Sequence, residues 1–507
     1  MDKETVARQR ATNYRWTITA MLFFATTINY LDRQVLSLTW KDFIAPEFHW
    51  TDSDYGTITG LFSIFYAISM LFAGKFVDWM DTKKGFLWAI GIWSVGAVLH
   101  AFCGIATSGI VAGEWAVGFE GAREAIASVG NTAKVVSVSV GLFIFARLVL
   151  AVGEAGNFPA AIKATAEYFP KKDRAFSTSI FNSGAQIGAL LAPISIPFIA
   201  QAWGWEMAFI IIGATGFIWM FFWIYGYDKP EKSKHVNTAE LSYIQQDDED
   251  PATAQQSAAP AKRISFAKAF SYKQTWAFAV GKFMTDGVWW FFLFWAPAYL
   301  KSVYGLSSVD SAIYIFVLYA ITMLSIIGGW LPTYFVDKLK MNPYAGRMRA
   351  MLIFAFFPLL ALLAQPLGHL SIWIPVIIIG IAGAAHQAWS ANIFSTIGDM
   401  FPKHAIATIT GIGGMAGGIG AFLINKGSGV LFDYAAGSTM AEGKEVTMSE
   451  ELLAKGAEFL RAPMQLFGFE GKEAGYFIVF CICGVAYLIG WVIMKALVPK
   501  YKPITDL

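Results

Sequence analysis

The feature that most constrains this chain is a series of twelve apolar runs, each near the ~20 residues that a helix needs to cross a bilayer. Only 15% of the 507 residues are charged, against roughly 25% in a soluble domain. A water-soluble globule cannot hide so much apolar surface, which excludes a soluble enzyme and a disordered chain. The predicted spans are 16–38, 56–79, 85–106, 137–161, 175–200, 205–226, 275–301, 309–336, 349–367, 371–398, 405–430 and 474–497.

The polar stretch at 227–273 divides the spans into six and six. It contains an acidic run at 247–250 followed by a Pro, Ala and Gln segment, a composition typical of a flexible linker with some helix. We therefore predict an all-α membrane protein of two pseudo-symmetric six-helix bundles, 1–226 and 274–507, joined by a cytoplasmic linker. A weakly apolar segment at 107–136 is interpreted as an interfacial insertion. The polar stretch 433–473 has no readable role.

The distribution of positive charge predicts how the chain lies in the membrane. Lys and Arg are concentrated in the N-terminus, the C-terminus and the loops that share their side. By the positive-inside rule, both termini are cytoplasmic in the cell (inner) membrane. The polar, basic start has no cleavage site after a short apolar core, so no signal peptide is expected. The net charge of +2 gives no field for a polyanion, and we expect no nucleic-acid partner.

Charged residues inside the spans of the first half are the strongest functional signal, because such residues are expensive in lipid and usually face a cavity. Asp32 and Arg33 are adjacent and point about 100° apart on a helix. Arg147 and Glu154 lie seven residues apart, on one stripe and roughly 10 Å along the axis. We expect Asp32 to lie between them as a bridging group. The pattern favours a proton-coupled anion site, with a permanent structural ion cluster as the alternative.

The seventh span carries two tryptophans near its middle, Trp289 and Trp290. Membrane tryptophans usually lie at an interface, so this pair is interpreted as an aromatic wall for a sugar ring, with a lipid-facing position as the alternative. Lys282 and Asp286 form an i, i+4 pair that can neutralise itself. Direct contact with substrate remains open for that pair.

The tenth span places His386, Trp389 and Asn392 in mid-membrane, and Gln186 belongs to a polar stripe in the fifth. Such donors and acceptors suit a polyhydroxylated ligand, although His386 alone could be a packing residue. No arrangement of His, Cys or carboxylates suggests a metal, and we expect no cofactor. The glycine-rich run 411–420 has no preceding strand. It is interpreted as a surface for close helix packing through Gly413/Gly417 and Gly414/Gly418.

The loop after the second span, 74–85, combines an acidic helix end with a basic turn. Asp78 precedes Lys83 and Lys84, and Asp337 begins a weaker echo after the eighth span. Such a carboxylate can receive a base or a helix N-terminus from the neighbouring bundle and close a cytoplasmic gate. The alternative is a helix-end carboxylate beside ordinary cytoplasmic lysines.

Together these motifs resemble the anion:cation symporter family of the major facilitator superfamily. The loop 74–85 is similar to the superfamily's signature loop, except that Asp81 stands where the pattern usually has Gly. The strings 285–297, 386–392 and 411–420 resemble the bacterial hexuronate transporter branch. The resemblance covers nearly the whole chain apart from 107–136, 227–273 and 433–473.

The resemblance implies roles for particular residues. The proton-carrying acids fall on Asp32 and Glu154, and the arginine that binds the substrate carboxylate falls on Arg33. Wall positions fall on Tyr30, Tyr66, Gln186 and Trp389. The eleventh span is glycine-rich where galactonate-type relatives have an Asn, which favours uronates as substrates.

We therefore predict a monomeric, proton-coupled importer of hexuronates such as glucuronate and galacturonate, working by alternating access. Its partners are a sugar acid anion, protons and the lipid bilayer. The residues proposed for proton coupling are Asp32, Arg147 and Glu154, and those for substrate are Tyr30, Arg33, Tyr66, Gln186, Trp289, Trp290, His386, Trp389 and Asn392. Alternatives are a symporter for an aldonate or aromatic acid, a drug exporter, and a non-transporting nutrient sensor.

Overall fold

The computed structural model describes residues 11–247, 265–441, 444–448, 452–453 and 456–504. Most of the acidic and Pro-containing part of the predicted linker lies outside the described residues. Within them, long helices coincide with all twelve predicted spans. In the first half, spans 1 to 6 are Tyr14–Thr39, Asp52–Met80, Thr82–Ala101, Thr132–Glu154, Lys171–Trp203 and Trp205–Gly226.

In the second half, four spans are single helices and two are interrupted. Spans 7, 10, 11 and 12 begin and end at Lys273–Tyr304, Trp373–Met400, Lys403–Ala435 and Lys472–Leu497. Span 8 is Ala312–Thr322 and Ile327–Asp337 around the 3₁₀ turn Met323–Ile326. Span 9 is Pro343–Phe356, the 3₁₀ helix Phe357–Leu363 and Ala364–Gly368.

Ten of these segments are long and apolar enough to cross a membrane. The other two, spans 1 and 7, have 26 and 32 residues and contain the charged and aromatic residues singled out above. A 26-residue helix is about 39 Å long, more than the ~30 Å hydrocarbon core. The described helices are therefore consistent with a twelve-span, all-α membrane protein, as predicted.

The segment 107–136 is more helical than an insertion between two spans would be. Span 3 continues as Cys103–Val111, and a short helix, Phe119–Ala127, follows before span 4 begins at Thr132. Arg123 on the short helix bonds Glu206 at 2.7 Å, at the start of span 6. Both flanks of the predicted insertion therefore belong to the neighbouring spans, and only its centre is a separate element.

After span 11, the described part of the segment 433–473 contains two short antiparallel strand pairs. Ser438–Ala441 pairs with Lys444–Thr447, and Gln465–Leu466 pairs with Phe469–Glu470.

The described part of the linker begins with the 3₁₀ turn Pro230–Lys232, the helix Thr238–Ile244 and the turn Gln245–Asp247, and resumes with the helix Phe266–Phe270. Glu240 is buried and accepts hydrogen bonds from the backbone N–H groups of Tyr14 (2.9 Å) and Arg15 (3.0 Å). A linker carboxylate thus caps the N-terminus of span 1, whose own Asn13 makes no side-chain cap. The division at 226/227 and 273/274 stays a prediction.

The two halves are joined at the end of the bundle where span 1 finishes and span 2 begins. Asp52, on span 2, bonds Lys41 at 2.6 Å and also Lys472 of span 12. Asp433 of span 11 accepts the backbone N–H groups of Asp52 (3.0 Å) and Ser53 (2.8 Å). We call the contacts of Asp42, Asp52, Lys301, Asp433 and Lys472 the clamp; in it, Lys301 lies 3.3 Å from Asp42.

Aromatic packing reinforces the clamp one turn further in. The rings of Trp40 and Tyr55 stack at 4.0 Å, and Trp295 of span 7 meets Tyr55 edge-on at 5.0 Å. Tyr55 donates its hydroxyl to the carbonyl of Phe294 at 2.7 Å. At the opposite end, the ion pairs found among the described residues stay within one half, as with Arg347 and Asp399 at 2.7 Å.

The glycine-rich run 411–420 permits the close helix packing that the sequence predicts. A Cβ at Gly417 would lie 2.2 Å from Asp286 of span 7, and one at Gly418 would lie 2.4 Å from Ala67 of span 2. Gly413 likewise faces Phe278 of span 7. The expectation was wrong for Gly414, where nothing lies within 4 Å.

We expect Gly420→Ala to lower thermal stability clearly in detergent, because the new Cβ would lie 2.1 Å from the backbone carbonyl oxygen of Phe283 and would force spans 7 and 11 apart. Overpacking of this kind typically costs about 1–3 kcal/mol. The matched control is Gly427→Ala in the same helix, where the space is open. Equal unfolding temperatures for the two variants would contradict the packing argument.

Candidate functional site

An ion pair between spans 1 and 4 forms the centre of the candidate site. Arg33 donates from Nε and Nη2 to the same oxygen of Glu154, Oε2, at 2.9 and 2.7 Å. Both side chains are almost completely buried, with 4% and 0% of their surface exposed. The second oxygen of Glu154, Oε1, is buried and has no hydrogen-bond partner among the described residues. The carboxylate therefore keeps acceptor capacity that the arginine does not use.

Four aromatic rings surround the Arg33 guanidinium and form an aromatic cage. Its carbon Cζ lies 5.0 Å from the ring of Tyr30, 4.7 Å from Tyr66, 5.2 Å from Trp290 and 5.8 Å from Phe62. These distances suit cation–π attraction, which strengthens where water is excluded. Trp290 belongs to span 7, so the second half completes a cage around an arginine of the first.

Asp32 does not form the bridge that the sequence predicts. Both of its carboxylate oxygens are buried and have no hydrogen-bond partner in the described part of the chain. The expectation that Asp32 bridges Arg147 and Glu154 is therefore wrong in this state, because the adjacent residue, Arg33, occupies Glu154. The guanidinium of an arginine presents paired donors to a carboxylate. The carboxylate of Asp32 would instead be repelled by the carboxylate of Glu154.

Arg147 lies in the same cluster but makes no hydrogen bond or close ion pair in the described part of the chain. All three of its guanidinium nitrogens are buried and make no hydrogen bond to a described residue, while Cζ lies 5.2 Å from the ring of Phe62. We call Asp32, Arg33, Arg147 and Glu154 the charge cluster. A structural cluster would be expected to satisfy its charges internally, since buried unpaired charge is costly. This cluster leaves one arginine and one aspartate unpaired, so it has capacity for a proton or an anion.

The second half contributes a separate aromatic group. Trp289 stacks on His386 with ring centroids 5.4 Å apart and planes 3° apart. His386 Nδ1 lies 2.7 Å from the hydroxyl of Tyr487 in span 12. Trp389 is completely buried and meets the Tyr487 ring edge-on at 5.5 Å. The adjacent residues Trp289 and Trp290 thus contact different halves: Trp289 packs on His386 of the second half, and Trp290 packs on Arg33 of the first.

Two further predicted substrate residues make protein contacts instead. Asn392 donates its amide to the carbonyls of Gly328 (2.9 Å) and Ala388 (2.8 Å). Gln186 accepts a hydrogen bond from Thr322 at 3.2 Å and so links spans 5 and 8 across the two halves.

Lys282 and Asp286 lie 2.7 Å apart and neutralise each other. This contact agrees with the structural alternative for the pair. It leaves no charge of either residue unpaired toward a substrate.

The residues of the predicted cytoplasmic gate lie at the end opposite the clamp. Asp78 is 70% exposed and pairs with Lys163 of its own half at 3.1 Å, so the expected contact with the neighbouring bundle is absent in this state. Lys83 pairs with Asp228 at 2.9 Å. Lys84 and Asp337 are exposed. The roles of these four residues in gating stay predictions.

Asp81, the departure from the signature loop, has a φ of 67°, in the left-handed region that favours glycine. The aspartate offsets that strain by capping span 3, since its carboxylate accepts the N–H of Thr82 at 2.9 Å, and it also pairs with Lys229 at 3.2 Å.

Two residues of the site were missed by sequence reasoning, Phe62 and Tyr487. Both lie in strongly apolar spans, where an aromatic residue looks the same whether it packs inward or faces lipid. The only available signal was spacing, since Phe62 lies one turn before Tyr66. Among the described residues, no three His, Cys, Asp or Glu side chains group as metal ligands do.

Comparison with known proteins agrees with this architecture. The family model described as Major Facilitator Superfamily matches residues 22–424. The chain is 28% identical over 424 residues to the hexuronate transporter of Escherichia coli (strain K12), covering 83% of this chain and 88% of that protein. It is 28% identical over 334 residues to the galacturonate transporter of Dickeya chrysanthemi, covering 66% and 86%. These relatives confirm the resemblance to the hexuronate transporter branch.

Solved structures give the same fold. A bacterial homolog of the human lysosomal transporter Spinster, in an inward-facing and occupied conformation, matches with a TM-score of 0.63 at 18% identity, over 96% of this chain and 97% of that one. A D-xylose-proton symporter matches with a TM-score of 0.60 at 16% identity, over 97% and 99%. The family match covers most of the chain, and the spans, the two joined halves and the buried charges fit it: the chain belongs to the Major Facilitator Superfamily and is a multi-pass membrane transporter, not an enzyme.

Proposed function

We propose that this protein imports hexuronates, such as glucuronate and galacturonate, together with protons across the cell (inner) membrane by alternating access. The observation that carries the proposal is the buried pair of Arg33 and Glu154 beside the unpaired Asp32 and Arg147. The printed names of the relatives, a hexuronate and a galacturonate transporter, support the substrate class.

Exchange of ionic partners couples the two substrates. Protonation of Glu154 removes the negative partner of Arg33, and the guanidinium becomes free to bind the sugar's carboxylate through two parallel hydrogen bonds. Asp32 is the second proton carrier, and the positive charge of Arg147 tunes both acids. Because the aromatic cage excludes water, an anion gains more from the Arg33 charge there than it would in solution.

Proton coupling also solves an electrical problem. A hexuronate carries one negative charge at neutral pH. Moving that charge inward against 100 mV costs about 2.3 kcal/mol. One co-transported proton cancels this cost, and a second makes the membrane potential favourable. Two carboxylates in the charge cluster match that need.

The sugar ring lies against the aromatic walls in this proposal. Tyr30, Tyr66 and Trp290 already surround Arg33, so they are placed to contact a sugar whose carboxylate binds there. In the same proposal, Trp289 and His386 contact the sugar ring from the second half. Gln186, Trp389 and Asn392 are held by protein contacts, so we assign them to shaping the wall behind the ligand.

The contacts between the halves support assignment of the structure to an inward-facing state. With both termini cytoplasmic, the clamp lies on the outside and is closed, while Asp78 at the cytoplasmic end pairs only within its own half. We propose that the outward-facing state breaks the clamp and brings Asp78, Lys83, Lys84 and Asp337 into contacts between the bundles.

Uptake into proteoliposomes tests the proposed function directly. Radiolabelled glucuronate and galacturonate are offered with and without an inward proton gradient, beside an aldonate, an aromatic carboxylate and neutral glucose. We expect gradient-dependent accumulation of the two uronates and none of glucose. Preferential accumulation of the aldonate or aromatic acid would show that hexuronates are not the substrate class. Uptake that does not depend on the proton gradient would refute proton coupling.

The clamp gives a prediction about conformation. We expect Asp433→Asn to shift the protein toward the outward-open state, because the neutral amide binds the N–H groups of Asp52 and Ser53 less strongly than the carboxylate does. Spin labels on cysteines at the exposed positions His49 and Asp310, in a chain lacking Cys103, Cys481 and Cys483, report the separation at that end. A population at longer distance is expected.

The matched control for the clamp is Asp54→Asn. Asp54 lies in the first turn of span 2, the turn that Asp433 caps, but the Asp54 carboxylate bonds Thr51 of its own half at 2.9 Å. We expect this variant to keep the wild-type distance distribution. If Asp433→Asn and Asp54→Asn gave the same distribution, the clamp would not hold the halves together.

A further inference from the structure

His386 lies in a contact group that fixes both the plane and the protonation of its ring. The Trp289 indole stacks on it at an interplanar angle of 3°, which prevents the imidazole from tilting. At the edge of the ring, Nδ1 is 2.7 Å from the Tyr487 hydroxyl. That hydroxyl also lies 3.4 Å from the backbone carbonyl oxygen of Thr285. The histidine is therefore positioned by two residues, neither of which is charged.

Counting protons selects one tautomer of the ring. The Thr285 carbonyl can only accept, and a tyrosine hydroxyl has a single proton to donate. If Tyr487 donates to Thr285, then Nδ1–H donates to Tyr487, and both contacts are hydrogen bonds. If Tyr487 donates to Nδ1 instead, the carbonyl contact has no proton. The first arrangement satisfies more hydrogen bonds, so Nδ1 carries the proton and Nε2 carries a lone pair.

The free nitrogen of His386 differs from that of His100, another buried histidine of the spans. His100 also bonds through Nδ1, to Gly96 at 2.7 Å, and its Nε2 is sealed from solvent with no hydrogen-bond partner among the described residues. His386 Nε2 makes no hydrogen bond to a described residue, yet it is not among the sealed atoms. Nε2 is thus an accessible acceptor. The His386 ring stacks on Trp289, and the next residue, Trp290, covers Arg33.

We propose that His386 Nε2 accepts a hydrogen bond from one hydroxyl of the sugar, and that Tyr487 is the positioning residue that keeps Nε2 in its accepting form. This inference rests on the proposed function and makes it more specific. The substrate is recognised as an anion at Arg33 and as a hydroxyl donor at His386. An analogue with that hydroxyl replaced by hydrogen leaves a polar atom unpaired and binds less tightly.

The tautomer can be measured without any transport assay. Protein labelled with ¹⁵N-histidine contains only 6 histidines, and the signal lost in His386→Gln assigns the residue. We expect the wild-type protein to show Nδ1 protonated and Nε2 unprotonated, and Tyr487→Phe to show a mixture of tautomers. A wild-type spectrum with the proton on Nε2 would overturn the inference, whatever substrate the protein carries.

Uptake kinetics test the recognition step. Glucuronate and a set of its monodeoxy analogues are compared in wild-type, Tyr487→Phe and Tyr476→Phe proteins. Tyr476 is the matched control, a buried tyrosine of span 12 that packs on Phe432. We expect one analogue to show a KM about tenfold higher in the wild type, which corresponds to about 1.4 kcal/mol. Tyr487→Phe should raise the KM for glucuronate with little change in kcat. The KM for that deoxy analogue should hardly change in the same variant.

The outcomes separate the inference from the proposed function. Uptake of glucuronate and every analogue with equal KM by the wild type would overturn the hydroxyl contact and leave hexuronate transport standing. The same result would decide the matter if Tyr487→Phe failed to fold. A KM raised equally for glucuronate and all analogues in Tyr487→Phe would indicate a structural role and also overturn the inference. Absence of any hexuronate uptake by the wild type would instead defeat the proposed function.

Discussion

Replacement of Arg33 with alanine is expected to abolish measurable binding of glucuronate, a loss of at least about 100-fold in Kd. Removing one partner of a buried, hydrogen-bonded charge pair costs about 2–5 kcal/mol in affinity. The Arg33 guanidinium is the one that Tyr30, Tyr66 and Trp290 of the aromatic cage surround. Calorimetric titration of the purified protein measures the effect. Arg33→Lys keeps the charge but not the paired donors, so we expect intermediate affinity.

Stability must be separated from binding in this variant. Arg33→Ala leaves Glu154 buried without its partner, which costs about 3–5 kcal/mol in a buried pair. The double variant Arg33→Ala with Glu154→Gln leaves neither charge, so it should recover thermal stability without recovering binding. Arg347→Ala, which removes a guanidinium paired with Asp399 away from the charge cluster, is the control for loss of positive charge. Wild-type affinity in Arg33→Ala would refute the assignment of the carboxylate site.

Neutralising the acids of the charge cluster is expected to separate exchange from accumulation. Glu154→Gln resembles the permanently protonated acid, so Arg33 stays free to bind a sugar acid but no proton is released inside. Asp32→Asn removes the second proposed carrier in the same way. We expect either change to reduce proton-driven accumulation at least about tenfold while exchange of labelled for unlabelled glucuronate continues. Both are measured in the same proteoliposomes, with the proton gradient imposed or absent.

A buried carboxylate elsewhere controls for the loss of charge alone. Glu206 is buried at the start of span 6 and bonds Arg123, far along the chain from either carrier, and Glu206→Gln should accumulate glucuronate as the wild type does. If Asp32→Asn and Glu154→Gln both accumulated it normally, neither acid would carry the coupled proton. If only one of them did, a single carrier would remain, and import would be electrically neutral.

Most of the fold was predictable because the bilayer imposes a length on every helix that crosses it. Apolar runs of the right length therefore located all twelve spans. The antiparallel pairing of Ser438–Ala441 with Lys444–Thr447 was not predictable. A short polar strand has no periodicity strong enough to distinguish it from a loop.

The members of the charge cluster were also predictable, since charges in lipid are rare and costly, but their pairing was not. Neighbouring positions on span 1 point about 100° apart, and nothing in the sequence fixes the rotation of span 1 relative to span 4. Arg33, not Asp32, therefore met Glu154. Tyr487 was missed for a related reason, because the depth and rotation of span 12 decide which residue it touches.

The carboxylate of Asp433 has a further consequence through the helix turn that it caps. It holds two N–H groups at the start of span 2, although it belongs to the other half of the molecule. In the proposed outward-facing state the halves part here, and the freed N–H groups face the aqueous medium, where hydration replaces the lost bonds. Opening on that side therefore exchanges one set of hydrogen bonds for another and takes up water, so the balance between the two states depends on water activity. Osmolytes excluded from the protein surface would favour the closed form.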